Sequence, residues 1–202
     1  HLKMNKYSAK DGEFISTLFE EKNSKYVEPE SGLFFFKQLP DQFFWLSERD
    51  GFNHIYHYST DGKLLGQLTT GNWMVTSINC TDPKGENLFF SATKESPLQK
   101  NIYSVNLKNK NIQLLSKQHG THSAKFSDDC KYVLDQFSNT ETPLQIALIN
   151  TKNKESKLVY NAENPLKDYR LGKTTLSTLK NDEGTELWYR MIKPVDFDST
   201  KK

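Results

Sequence analysis

The sequence predicts an all-β fold, consecutive four-stranded antiparallel blades forming part of a β-propeller, and three observations carry that expectation. Short apolar or alternating runs dominate the chain, among them Phe43-Phe44-Trp45-Leu46, His54-Ile55-Tyr56-His57-Tyr58, Leu88-Phe89-Phe90-Ser91, Asn101-Ile102-Tyr103-Ser104-Val105 and Leu144-Gln145-Ile146-Ala147-Leu148. Aromatic and β-branched residues in such runs suit pleated, half-buried strands. Hairpin-type breaks separate them: Arg49-Asp50-Gly51, Asp61-Gly62, Lys84-Gly85 and Asn109-Lys110-Asn111. The runs also repeat. Phe43, Leu88 and Tyr132 open equivalent strands spaced by about 45 residues; Ile55, Ile102 and Ile146 centre the next strand; Leu68, Leu115 and Val159 centre the one after. A repeat of roughly 40–50 residues carrying four strands is the unit of a propeller blade. A sandwich of hairpins would also space its turns regularly, but it gives no reason for three units in register on three separate strands.

Taken in order, residues 1–30 supply a half blade, with Lys3–Tyr7 and Glu13–Phe19 joined by Asp11-Gly12. Whole blades follow at about 31–70, 73–117 and 121–161, each ending in an apolar-Thr/Ser-like edge. Glu163 to Leu171 reads as a short helix. Thr174–Leu179 and Glu186–Ile192 then form a hairpin around Asn181-Asp182-Glu183-Gly184, so that the propeller part spans 1–180 and 181–202 is a junction out of it.

Composition narrows the function. The 202 residues carry a formal charge of +2 with both signs interspersed, which offers nucleic acid no basic stripe. Lysines at turns and strand edges instead deter edge-to-edge pairing. No apolar run approaches the roughly 20 residues that span a bilayer. Neither end reads as a signal peptide, and Met4 lies inside a strand, as if the chain began within a longer polypeptide. Two cysteines, Cys80 and Cys130, allow one bridge at most; falling in neighbouring blades, they are expected to be free thiols.

Chemistry-bearing motifs are few. Without a Gly-x-Ser-x-Gly elbow no Ser-His-Asp constellation is in prospect. Asp128-Asp129 before Cys130 would raise a thiol pKa, the opposite of what a cysteine nucleophile needs. His119 and His122 have a His-x-x-His spacing but no further ligands, and on a strand they point apart, so neither metal nor cofactor is expected. His54 and His57 likewise lie on opposite faces of one strand, His57 toward solvent. Asn79-Cys80-Thr81 is a glycosylation sequon on a half-buried strand and is assigned no function. The segment Tyr26-Val27-Glu28-Pro29-Glu30 is different: it is too long for a tight hairpin and sets an aromatic and two carboxylates between blades. Tyr26, Glu28 and Glu30 are therefore the candidate cavity residues, able to receive a cationic group. The other reading is a solvated connector with an anchoring tyrosine.

Longer stretches resemble one family. Ser47-Glu48-Arg49-Asp50-Gly51-Phe52-Asn53-His54-Ile55-Tyr56, with Gln67-Leu68-Thr69-Thr70-Gly71-Asn72-Trp73-Met74-Val75, is similar to the propeller of the dipeptidyl peptidase IV family in the prolyl oligopeptidase clan. Tyr26-Val27-Glu28-Pro29, Gly120-Thr121-His122-Ser123-Ala124-Lys125-Phe126-Ser127 and Glu186-Leu187-Trp188-Tyr189-Arg190-Met191-Ile192-Lys193-Pro194 agree with it. One departure is Asp129-Cys130-Lys131, where relatives usually have Asp-Gly-Lys; Cys there implies a type I turn without positive φ. The resemblance implies a non-catalytic segment that shapes and gates the cavity of a serine exopeptidase releasing Xaa-Pro or Xaa-Ala dipeptides from peptide amino termini. It implies catalytic residues downstream in an α/β-hydrolase domain, and a periplasmic or secreted parent. The family's double glutamate finds no match: Glu20-Glu21 is adjacent but stands at a strand end. The competing reading is a stand-alone interaction module, and an open run of blades is expected to dimerise through its raw edges.

Overall fold

The computed structural model describes residues 1–200, and fifteen strands carry the fold. β1 (Leu2–Tyr7) and β2 (Phe14–Glu21) form a hairpin. β3 (Gln42–Ser47), β4 (His54–Ser59) and β5 (Leu64–Gln67) form a three-stranded sheet, to which Phe34 adds a single bridge by exchanging two backbone hydrogen bonds of 3.0 Å with Phe44. β6 (Val75–Thr81), β7 (Asn87–Ala92), β8 (Asn101–Asn106) and β9 (Ile112–Leu114) form the first four-stranded antiparallel sheet. β10 (Thr121–Phe126), β11 (Tyr132–Ser138), β12 (Gln145–Asn150) and β13 (Ser156–Asn161) form the second, and β14 (Thr174–Lys180) pairs with β15 (Glu186–Ile192). The three- and four-stranded sheets are meanders, the topology of propeller blades.

Period-two alternation sorts the core between sheets. On β3, Phe43 and Trp45 face the β1–β2 hairpin and pack with Tyr56, Tyr58, Met4 and Phe19. Their neighbours Phe44 and Leu46 face the other way, joining Ile55 and Leu68 to Val75, Leu88, Phe90 and Val105 of the next blade. A third layer sets Phe89, Ile102 and Leu115 against Cys130, Val133 and Ile149. Every blade is thus apolar on both faces wherever a neighbour lies on each side. Gly62 shows how closely the blades approach: at φ 92° in the β4–β5 turn, a Cβ there would collide with the Leu18 backbone of β2.

Four expectations are corrected. Cys80 and Cys130 are not free thiols but a disulfide, with Cα atoms 6.5 Å apart, closing a loop across 50 positions. The two blades pack face to face, so residues remote in sequence meet in one layer. By loop entropy such a link is worth about 4 kcal/mol. Cys130 also takes φ 52°, not the type I geometry expected; the turn keeps the left-handed conformation that glycine would adopt, and the disulfide holds the cysteine there. Residues 163–171 form turns, with Lys167 N–H on Asn164 O and Tyr169 N–H on Leu166 O, because Pro165 and the isolated bonds give no run of helical turns. His57 does not face solvent: it is 7% exposed, stacks on Phe44 at 4.6 Å and donates through Nε2 to Gln42 Oε1.

Candidate functional site

Between β2 and the Phe34 bridge the chain crosses from hairpin to first full blade without regular structure, and this connector, residues 22–30, walls a pocket of about 240 Å³. Its other wall is Trp45, the turn after β3, and Asn53. The sequence placed Tyr26, Glu28 and Glu30 here, and the structure sets all three on the pocket rim. They do not behave alike. Glu30 accepts from Asn53 Nδ2 at 3.2 Å, and the same nitrogen donates to Val75 O at 2.9 Å, tying the end of the connector to the next blade. Tyr26 is 70% exposed, and Glu28 is exposed beside it. An aromatic face and a carboxylate at a pocket mouth supply both a stacking surface and an anion for a cationic group.

The start of the connector is fastened by residues that sequence reasoning passed over. Glu21, the last residue of β2, is buried and accepts from Trp45 Nε1–H at 2.8 Å and from Arg49 Nη2–H. Arg49 in turn donates through Nη1 to Tyr58 OH at 2.9 Å and through Nε to Ser47 Oγ at 3.1 Å, and its guanidinium lies 4.0 Å from the centre of the Tyr56 ring. Burial disfavours the cation, but the Tyr58 hydroxyl and the Glu21 carboxylate outweigh it and raise the Arg49 pKa. Tyr56 is pushed up to about 12 by burial, with Asp50 adding to it and Arg49 opposing. Glu20 diverges from Glu21, as strand neighbours must, and pairs with exposed Lys3 at 3.1 Å. Strand alternation was the available signal: it puts one glutamate of Glu20-Glu21 inward, where a charge needs a partner.

His54 and His122 are buried and hydrogen-bonded within their own blades. His54 donates through Nε2 to Gly71 O at 2.9 Å, with Nδ1 3.1 Å from Thr69 Oγ1. His122, fully buried, places Nδ1 2.8 Å from Asp135 and donates through Nε2 to Gln118 O at 2.9 Å. Among the described residues no group of three or more His, Cys, Asp and Glu is arranged to hold a metal ion. Nor is any described helix long and apolar enough to cross a membrane.

Serial antiparallel blades with a rim pocket define a β-propeller segment. The chain belongs to the dipeptidyl peptidase IV family: the description of its N-terminal region matches residues 1–144. Among curated relatives it is 30% identical over 164 residues to dipeptidyl peptidase 4 of Arthroderma otae, covering 78% of this chain and 21% of that protein. It is 30% identical over 168 residues to human prolyl endopeptidase FAP, covering 77% and 22%. It thus spans about a fifth of the curated relatives it matches. Among solved structures, a putative dipeptidyl aminopeptidase IV from Bacteroides ovatus superposes with a TM-score of 0.90 at 32% identity, over 99% of this chain and 31% of that one. Porphyromonas gingivalis dipeptidyl peptidase 4 superposes with a TM-score of 0.87 at 28% identity, over 97% and 28%.

Proposed function

We propose that this chain is the non-catalytic, cavity-forming propeller part of a serine exopeptidase that releases Xaa-Pro or Xaa-Ala dipeptides from peptide amino termini. The observation that carries the reading is the connector: a loop of a dipeptidyl peptidase IV family propeller, fastened at Glu21 and Glu30, with Tyr26 and Glu28 standing at a pocket mouth. In this role Tyr26 offers its ring to the substrate backbone or side chain, while Glu28 and Glu30 set a negative potential that favours a cationic end. The nucleophile and its partners belong to an α/β-hydrolase domain of the same parent, against which the propeller packs. Export to the periplasm or outside the cell is part of the proposal, supported by the Cys80–Cys130 disulfide, a bond that persists in oxidising compartments.

The test is chromogenic Gly-Pro dipeptide release by this chain beside its full-length parent, together with Tyr26→Ala in the parent. Activity in the parent alone, with kcat/KM lowered roughly tenfold by Tyr26→Ala, is the expected result for loss of a stacking contact. Release by the isolated chain would place a nucleophile within it, and absence from both would favour the interaction-module reading.

A further inference from the structure

We infer that Glu21 and Arg49 are positioning residues, an ion pair between two blades whose work is to fix where the 22–30 connector stands over its pocket. The inference rests on the proposed function, since it matters to activity only if that connector meets substrate.

The argument begins with register. Glu21 is the last laddered residue of β2, paired with Leu2, and the chain leaves the sheet at the next position. A strand end of this kind ordinarily frays, because nothing beyond it repeats the ladder. Here the final side chain is turned inward, 8% exposed, and its carboxylate reaches across to the neighbouring blade. It accepts from two donors on different parts of that blade, Trp45 within β3 and Arg49 in the turn after it. Arg49 is itself spent on Ser47, Tyr58 and the Tyr56 ring, so it has one orientation rather than several. The connector therefore departs from a point fixed in three dimensions by groups on β3, β4 and the turn between them.

A purely structural salt bridge could sit anywhere along the blade interface. This one sits where the pocket-lining segment begins, and Glu21, Trp45 and Arg49 line the same pocket as Tyr26 and Glu28. The guanidinium is also not available as a substrate anion site while it is engaged in this way. Removing either charge leaves the partner buried or half-buried without its counter-charge. Both donors converge on one oxygen of Glu21, Oε1, so glutamine there can keep both bonds and remove only the charge, whereas alanine removes the acceptor altogether.

The test uses the full-length parent with Glu21→Ala, Arg49→Met and the double variant, read in two ways. Hydrogen exchange at residues 22–30 should quicken about fivefold or more in each single variant, with β3 and β4 unchanged, as expected for loss of a charge-assisted hydrogen bond. KM for the chromogenic Gly-Pro substrate should rise by a similar factor, about fivefold, with kcat within about twofold, and the double variant should be no worse than the poorer single one. Unchanged exchange in the connector would overturn the inference, as would quickened exchange spread through β3 and β4 with kcat falling alongside. If the unmodified parent releases no dipeptide, it is the proposed function that fails, and the exchange measurement alone decides the positioning role.

Discussion

His57 shows what one misjudged side chain can do to the pH behaviour of a blade. Read from the strand pattern alone, His57 falls on the face opposite His54 and toward solvent. A propeller blade has no solvent side between neighbours, and His57 lies in the same layer as Phe44. Burial pushes its pKa down from 6.5 to about 4. The folded-state value lies below the unfolded one, so the contribution is complete above pH 6.5. It is lost as pH falls, because the unfolded chain takes up a proton that the folded chain refuses; below about pH 4 both forms are protonated and the loss stops. At pH 5 the cost is about 2 kcal/mol. His57→Phe keeps a stacked ring on Phe44 and should remove that slope. Chemical denaturation at pH 7 and pH 5 checks it: a difference between the two proteins that does not change with pH would refute the assignment.

At the scale of the strand, the apolar-Thr/Ser edge that closes each repeat has a mechanical reason. Thr69 follows β5, and its hydroxyl accepts from Ile55 N–H at 3.0 Å at the start of β4. Ser116 follows β9 and does the same for Ile102 N–H at 3.0 Å at the start of β8. In both blades the short last strand runs out before its ladder is complete, and a side chain supplies the missing acceptor. Thr69→Val keeps the shape but leaves a buried N–H unpaired, at a cost of about 1–3 kcal/mol. Equilibrium unfolding of Thr69→Val beside Thr69→Ser separates the hydroxyl from the methyl group, and only the valine variant should lose stability to that extent. These repeats were legible in the sequence because strand pattern and turn chemistry are local: Phe43, Leu88 and Tyr132 stand at or one residue inside the starts of β3, β7 and β11. The Cys80–Cys130 bond and the Glu21–Arg49 pair were not, because each depends on how one blade stacks on the next, and no spacing within a single repeat encodes that. Of the candidate site, the connector and its exposed Tyr26 and Glu28 could be read from its length and residue types, whereas its two anchors could not.

Across the whole molecule, the same alternation that builds the interblade layers leaves the outer face of the β10–β13 sheet uncovered. On β11 the residues Val133, Asp135 and Phe137 are buried toward the preceding blade, while Tyr132 before them and Leu134 among them are 44% and 40% exposed. Cross-strand register carries that outer face over the sheet, Leu134 opposite Leu148 and Ile146 opposite Tyr160, which is itself 51% exposed. The β14–β15 hairpin does not cover it: its own Leu176, Leu187 and Trp188 are about half exposed, and a lone two-stranded hairpin has little stability of its own. An apolar sheet face of this kind is completed by a further blade in a longer chain or by another copy of the segment in isolation. The isolated segment should therefore self-associate, and light scattering should give a mass near twice 23.4 kDa or above. Leu134→Lys with Tyr160→Lys places charges on that face while leaving the Val133 layer intact, and should restore a monomer without lowering the unfolding midpoint. A monodisperse monomer before any substitution would count against the face as the contact, and association undiminished by the two lysines would move it to the unpaired edges of β1 or β13.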